Sequence, residues 1–157
     1  MQRLRSALLA ALCFGAVVHA QEAQAPMTPM TPMQAIERAA DAVPRGISGT
    51  FEMDVRATGT ERLGPTYLNS EDDYRDPRCL TVVIPAGLLT TIERKFGESP
   101  ATYFKNKRIR VTGFAKRTRI DFTSHGRPTG KYYYQTHVRL QSADHIEVVD
   151  APSQASR

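Results

Sequence analysis

Lys107-Arg108-Ile109-Arg110-Val111-Thr112-Gly113 is the stretch of this chain that most strongly indicates a fold. Its apolar residues, Ile109 and Val111, alternate with polar ones, so a β-strand here buries one side of the segment. The opposite side carries Arg108, Arg110 and Thr112. Gly113 is expected to end the alternation, as at a bulge or at the bend of a small barrel. The stretch therefore predicts a strand with one buried and one cationic side, and it indicates no chemical reaction.

Segments on both sides of this stretch predict a mainly β domain. Alternating or continuous apolar residues predict further strands at residues 51–55, 66–69, 80–84, 131–140 and 145–149. A helix is expected over Ala86–Phe96, where Leu88 and Ile92 recur at helical spacing and a glycine follows. This helix falls between the third and fourth strands. The order matches the five-stranded Greek-key barrel called the OB-fold, although the count alone also fits other small barrels.

The N-terminal segment is typical of a secretory signal peptide. Arg3 and Arg5 precede an apolar run from Ala7 to Val18, and polar residues follow Ala20. A cationic start, a short apolar run and a small residue before the break are the three parts of such a signal, so we expect residues 1–20 to be cleaved. A retained anchor is the alternative. The pattern predicts an exported protein, periplasmic or extracellular, without stable membrane insertion after cleavage.

The region after the predicted cleavage site divides into a tether and a short helix. Residues 21–31 contain a repeating Thr-Pro-Met triplet, and repeated prolines predict a disordered, Pro-rich tether. Thr31, Pro32 and Gln34 have capping-box spacing, which predicts a short helix within residues 32–45. The predicted OB-fold domain then covers residues 46–150, and residues 151–157 form a disordered tail.

Charge is distributed unevenly along the chain. The net charge of +5 includes Arg3 and Arg5, so the chain from Gln21 carries +3 by side-chain count. Seven cations and no acid lie between Lys105 and Arg119, whereas acids concentrate around residues 71–76. This polarity favours a polyanion partner, although a basic strand face is often only a solvated one.

Residue patterns for catalysis and for metal binding are weak. Cys79 is the only cysteine after the predicted signal, and as the start of an apolar strand it is expected to be a small buried side chain. The histidines have no ligand spacing on a helix, and no serine has a nucleophile context. The acids of residues 71–76 do not reproduce a calcium loop, and acids are common in turns. We therefore expect no enzymatic activity, no metal site and no cofactor.

Several segments also resemble a family of bacterial OB-fold domains, some of which accompany thermonuclease-like domains. Residues 66–69, 73–75 and 80–84 are similar to its YLN, DYR and TVVI elements, residues 103–113 to its Y-x-G-K-x-V-R-V-T-G strand, and residues 143–149 to its closing strand. The resemblance covers residues 49–149 and implies an OB-fold of the nucleic-acid-binding type. Asn106 stands where that family usually has glycine, and the loop at residues 121–131 is longer. Thermonuclease activity does not carry over, because the chain is too short to hold that catalytic domain as well.

The basic segment and nearby tyrosines form the predicted ligand-binding site. Cations attract phosphates, and aromatic rings stack bases. The predicted ligand-binding residues are Lys105, Lys107, Arg108, Arg110, Lys116, Arg117, Arg119, Tyr67 and Tyr133, with Tyr74, Arg127 and Lys131 nearby. The first functional hypothesis is an exported, non-catalytic module that binds single-stranded nucleic acid or another polyanion through a basic barrel face. The alternative is a cell-envelope module that binds a protein or a small ligand.

Overall fold

The computed structural model of the chain describes residues 28–149. The predicted signal peptide, the first part of the predicted tether and the predicted tail lie outside these residues. The described helices and strands follow in the order α1 (Pro32–Asp41), β1 (Ile47–Asp54), β2 (Ala57–Thr60), β3 (Thr66–Asn69), β4 (Leu80–Ile84), α2 (Ala86–Phe96), α3 (Pro100–Tyr103), β5 (Arg108–Ser124), β6 (Arg127–Arg139) and β7 (Ile146–Val148). The predicted mainly β fold and the helix after the Leu80–Ile84 strand are confirmed.

The seven strands form one mixed, open sheet. Its order is β1-β5-β6-β4-β3-β2, and β7 adds to β5. All pairs are antiparallel except β4 with β6, which run parallel. The strands β1 and β2 stand at the two ends of the path, and only Val55 and Arg56 separate them along the chain. The strand β2 and the helix α3 are additions to the predicted elements.

Alternation along the strands builds a core on one side of the sheet. Phe51, Met53 and Val55 are buried as their spacing predicts, and all five residues of β4 are buried. The core continues through Leu68, Ile109, Val111, Val138 and Ile146. Side chains of opposite parity on the same strands face outwards, so the sheet has an outer face as well as a core.

The helix α1 packs on the core and brings the preceding residues with it. Thr31 caps it as predicted, because its hydroxyl accepts from the Gln34 amide and the Gln34 side chain accepts from the Thr31 amide. Ala35 and Ala39 are fully buried. Met30, which falls in the predicted disordered tether, is also buried and exchanges backbone hydrogen bonds with Thr50 and Glu52. The predicted boundary at residue 31 is therefore wrong, since apolar burial and pairing with β1 hold Met30 in the domain.

Gly113 does not end its strand. β5 runs on to Ser124, and Gly113 pairs with Gly49 of β1. A Cβ atom at Gly113 would lie 3.1 Å from a Val138 methyl carbon and 3.3 Å from the Arg139 carbonyl oxygen, closer than ordinary van der Waals contact, so glycine accommodates the close approach of β6. The alternation of buried and outward residues continues past this point.

The second half of β5 and the first half of β6 form a projecting hairpin arm, residues 116–135. Pairing of β5 with β1 stops at Ala115, and pairing of β6 with β4 begins at Thr136. Between these points the two strands pair only with each other. The predicted turn at residues 124–130 is shorter than expected, because β6 already begins at Arg127. The arm thus extends the sheet beyond its core.

No helix within residues 28–149 is long and apolar enough to cross a membrane.

Candidate ligand-binding groove

A groove with a volume of about 530 Å³ crosses the outer face of the sheet. The strands β2, β3, β4 and β6 supply most of its surface, and Ile120 of β5 and the loops after β2 and β3 supply the rest. The inward residues Leu68, Val82 and Val138 are buried in the core, so their strand neighbours turn outwards into the groove. The lining includes Gly59, Glu61, Tyr67, Asn69, Asp72, Tyr74, Thr81, Ile120, Tyr133, Gln135 and His137.

Tyrosine rings form the walls of the groove. Tyr67 donates a hydrogen bond of 2.7 Å from its hydroxyl to Glu61, which fixes the ring. Burial, with the adjacent Glu61 carboxylate, raises the pKa of Tyr67 to about 12, so its hydroxyl stays protonated at neutral pH. Tyr133 lies on the opposite wall and packs on Phe122 of the hairpin arm, with ring centroids 5.2 Å apart. The groove therefore offers aromatic surface on two sides.

Gln135 holds the loop after β3 against β6. Its Nε2 donates to the Tyr74 carbonyl oxygen at 2.8 Å and to the Tyr133 hydroxyl at 3.3 Å. Its Oε1 lies 2.6 Å from Nε2 of His137. Tyr74 is 43% exposed, and the Arg75 guanidinium lies 4.8 Å from its ring centroid. One amide thus positions both tyrosines and the histidine beside it.

Asn69 and Thr81 form the floor of the groove. They are cross-strand partners on β3 and β4, and they are 5% and 2% exposed. The Thr81 hydroxyl donates to Oδ1 of Asn69 at 2.9 Å. The Asn69 backbone carbonyl accepts from the Arg56 amide. The floor is therefore a buried polar pair rather than apolar surface.

Arg108 and Arg110, the centre of the predicted basic face, are neutralised by ion pairs. Arg108 lies 2.8 Å from Glu52 and 3.6 Å from Asp54. Arg110 lies 3.2 Å from Glu52 and 3.0 Å from Glu147. Hydrogen bonding from Arg108 lowers the pKa of Glu52, so the carboxylate keeps its charge down to acidic pH. Little of the positive charge of these two arginines is left for a ligand.

The predicted cations of β5 lie on two sides of the strand, so they do not form one continuous basic face. Residue parity puts Arg117 and Arg119 on the side of β5 opposite to Arg108 and Arg110. On the hairpin arm the Arg117 guanidinium lies 3.9 Å from the Tyr134 ring centroid and that of Arg119 lies 4.1 Å from the Tyr132 ring centroid. Lys116 lies across from His137 on the groove side.

Lys105 and Lys107 lie before β5, away from the groove lining. Lys107 Nζ lies 3.4 Å from the ring centroid of Tyr103, and Lys105 donates a hydrogen bond to the Arg56 carbonyl oxygen. Of the predicted site residues, the structure brings Tyr67 and Tyr133 together in the groove. None of the predicted cations is in its lining.

Sequence reasoning missed four polar residues of the groove. Asn69, Thr81, Gln135 and His137 are not among the predicted ligand-binding residues, although all four line the groove. Asn69 has the parity of Tyr67 on β3, and Gln135 and His137 have the parity of Tyr133 on β6, which was readable in the sequence. Thr81 lies in β4, where all five residues are buried, so no alternation marks it. Which outward residues meet across the sheet depends on strand order, and the local patterns did not contain it.

The acidic turn after β3 is used for its own hydrogen bonding. Asp76 accepts from the Arg78 backbone amide at 2.8 Å and from two nitrogens of its guanidinium. The Arg78 hydrogen bonds lower the pKa of Asp76 to about 2. Asp73 accepts from the Arg75 amide at 2.9 Å. Within residues 28–149, no group of three or more His, Cys, Asp or Glu side chains is placed to hold a metal ion.

Protonation of His137 is expected to lower the stability of the domain. Burial lowers the pKa of His137 from its ordinary value of 6.5, so the unfolded chain binds a proton more readily than the folded one. The free energy of unfolding should therefore fall as the pH drops from 6.5 towards the folded-state pKa. Urea unfolding between pH 7.5 and 5 measures this slope, and His137→Gln should flatten it. An equal slope in wild type and variant would contradict the assignment. Protonation of Glu52 should lower the free energy of unfolding separately, below about pH 4.5.

Comparisons with known proteins leave the family of this chain open. No family model matches it, and no curated protein matches it. Among solved structures, it is similar to a protein described as an aspartyl-tRNA synthetase from Leishmania major Friedlin, with 7% sequence identity and a TM-score of 0.39. The match covers 82% of this chain and 22% of that one, so this chain spans about a fifth of the length of that protein. The resemblance to bacterial OB-fold domains stays a prediction.

Proposed function

We propose that the domain is an OB-type barrel in which β1 and β2 act as one long, bent strand. The order β1-β5-β6-β4-β3-β2 then returns to its own beginning, because only Val55 and Arg56 join the two ends of the path. The parallel pair β4–β6 and the helix α2 after β4 support this proposal. The groove then lies on the outer face of the central strands, where OB-folds bind oligonucleotides and oligosaccharides.

We propose that the protein is an exported, non-catalytic module that binds single-stranded nucleic acid in this groove. The observation that carries the proposal is the pair of tyrosine walls, Tyr67 and Tyr133, over a polar floor. Bases stack on such rings at about 1–3 kcal/mol each, whatever their sequence. Export rests on the signal-peptide pattern of residues 1–20, and the periplasm or the extracellular space is the proposed location.

Cations for the phosphates come from the hairpin arm. Lys116 and Lys131 have the same parity as groove residues on their strands, and Arg117 lines the other side of the arm. Arg119 also lies on that side, but it is paired with Asp121 at 2.7 Å. The arm is a ribbon two strands wide, so a nucleic-acid backbone leaving the groove meets positive charge along it. This charge replaces the contribution expected of Arg108 and Arg110, whose partners are Glu52, Asp54 and Glu147.

A cell-envelope protein-interaction or small-ligand-binding module is the second candidate. It is favoured by the groove volume of about 530 Å³, which is within the range of small-molecule sites. The carboxylates of Glu61 and Asp72 are also in the lining, and they repel phosphates. A neutral ligand would bind with an affinity that depends little on salt, which separates this candidate from the first.

Salt-titrated binding tests the proposal. Affinity for single-stranded DNA and RNA should fall steeply between about 50 and 200 mM salt. Combining Lys116→Gln, Arg117→Gln and Lys131→Gln should reduce the steepness of log K against log salt by about 2, because each phosphate contact on a single strand contributes about 0.7. The matched control combines Arg108→Ala and Arg110→Ala, which should lower stability and leave this slope unchanged. If the Arg108/Arg110 variant lost the salt dependence and the arm variant kept it, the proposed roles of the two sets of cations would be reversed. Equal binding of a non-nucleic polyanion would reduce the proposal to general charge recognition.

A further inference from the structure

Asn69, Thr81 and His137 form a row across the groove floor. Asn69 pairs with Thr81 between β3 and β4, and Thr81 pairs with His137 between β4 and β6. Neighbouring strands lie about 4.8 Å apart, so the three side chains stand side by side on the outer face. The Tyr67 ring lies beside this row, with its centroid 6.4 Å from that of His137. A flat ring held against Tyr67 would therefore present its edge to these three residues.

Asn69 offers a hydrogen-bond donor to this edge. Its Oδ1 accepts from the Thr81 hydroxyl, which leaves Nδ2 as the free end of the amide. Among residues 28–149 no protein group accepts from Nδ2, and Asn69 lines the groove. Nδ2 is not one of the buried atoms without a partner, so it keeps contact with solvent there. A ligand oxygen in the groove can therefore accept from it.

Thr81 and His137 offer acceptors. The Thr81 hydroxyl hydrogen is donated to Asn69, so lone pairs of its oxygen remain for a ligand. Gln135 uses its Nε2 to donate to Tyr74 and Tyr133, so its Oε1 accepts from Nε2 of His137. Burial lowers the pKa of His137 and keeps the ring neutral at pH 7, which makes Nδ1 an acceptor. From Asn69 through Thr81 to His137, the row therefore presents one hydrogen-bond donor followed by two acceptors.

We propose that this floor recognises the Watson–Crick edge of guanine, an inference that rests on the proposed binding of single-stranded nucleic acid. Guanine alone among the four common bases presents acceptor, donor, donor along that edge. Its O6 accepts from Nδ2 of Asn69, its N1–H donates to the Thr81 hydroxyl oxygen, and its exocyclic amino group donates to Nδ1 of His137. The purine stacks on the Tyr67 ring. Thymine offers the first two contacts through O4 and N3–H but places an acceptor, O2, opposite Nδ1 of His137, and adenine and cytosine mismatch the first two.

A set of probes that differ in one base tests the inference. Oligo(dA) and oligo(dA) probes with a central dG, dC or inosine are titrated with the full chain at pH 7.5 and fixed salt, because adenine in the flanks mismatches Asn69 and Thr81. The dG probe should bind about tenfold more tightly than oligo(dA) and the dC probe. Inosine lacks only the exocyclic amino group, so it should lie between them. The same affinity for all the probes, or a preference for dA or dC, would overturn the guanine inference and leave the proposed function standing. If no probe binds, both fall.

A conservative substitution adds a second readout. Asn69→Asp replaces the donor Nδ2 by an acceptor oxygen at almost constant shape, so it should abolish the preference for dG over dA and keep salt-dependent binding. Asn106→Asp, at the asparagine that precedes β5 outside the groove, is the matched control and should keep the preference. Retention of the dG preference in Asn69→Asp would overturn the assigned contact. The wild-type base series decides the inference even if the Asn69 variant is unstable.

Discussion

Replacing Tyr67 and Tyr133 together by alanine is expected to reduce the affinity for single-stranded oligonucleotides by roughly 30-fold to 10⁴-fold. Each ring is expected to contribute about 1–3 kcal/mol by stacking a base, and every 1.4 kcal/mol is about tenfold in affinity. Both rings are held in place before a ligand arrives, Tyr67 by Glu61 and Tyr133 by Gln135 and Phe122. Fluorescence anisotropy with a labelled oligonucleotide measures the change.

The matched control for this prediction is the double variant of Tyr132 and Tyr134. These tyrosines lie on the other side of the hairpin arm, where they are 49% and 43% exposed and stack on arginines. Their removal deletes the same number of rings from outside the groove, so affinity should change by less than in the groove variant. An equal loss in both double variants would mean that the arm, and not the groove, holds the bases. Circular dichroism checks that each variant is folded.

Phe104→Ala is expected to destabilise the domain by about 3–5 kcal/mol, because it leaves a cavity that the surrounding residues fill only in part. Phe104 is completely buried. Its ring centroid lies 5.1 Å from those of both Phe96 and Tyr103, in edge-to-face geometry, so it joins α2 and α3 to the sheet. Urea unfolding should show a lower midpoint with an unchanged m-value.

Phe122→Ala provides a control of the same chemistry. Phe122 is 40% exposed on the hairpin arm and contacts Tyr133. Because its ring is already in contact with water, truncation should change the free energy of unfolding by only about 1 kcal/mol or less. Comparable losses in the two variants would show that the Phe96–Tyr103–Phe104 cluster is not part of the stabilising core.

Local patterns predicted most helices and strands because each of them rests on neighbours in sequence. The β3 and β4 strands and the α2 helix have the predicted bounds, and Thr31 caps α1 as its spacing required. The exceptions have physical reasons. Met30 was interpreted as part of a disordered tether, and only its contact with β1 buries it. Gly113 was expected to end its strand, whereas it lies within β5, where β6 approaches it closely.

The candidate site was predicted less well, because its residues come from separate strands. Tyr67 and Tyr133 were recognised as aromatic, outward-facing residues, but their position on opposite walls of one groove follows from the order of β3, β4 and β6. The residues next to Asn69 and Thr81 in the sequence do not indicate that either side chain contacts a ligand. Their pairing and burial on the groove floor make them candidates for ligand contact.

The stretch Lys107–Gly113 shows what the sequence by itself determined and what the tertiary structure decided. Alternation alone determined that Ile109 and Val111 are buried while Arg108 and Arg110 face outwards, because side-chain direction in a strand depends only on parity. Whether those arginines are available to a ligand was decided by Glu52, which lies 56 residues from Arg108 and 58 from Arg110 along the chain. Strand pairing brings these charges within hydrogen-bonding distance, and no local pattern contains that register. The candidate site that follows from the tertiary structure is therefore the groove and not this strand.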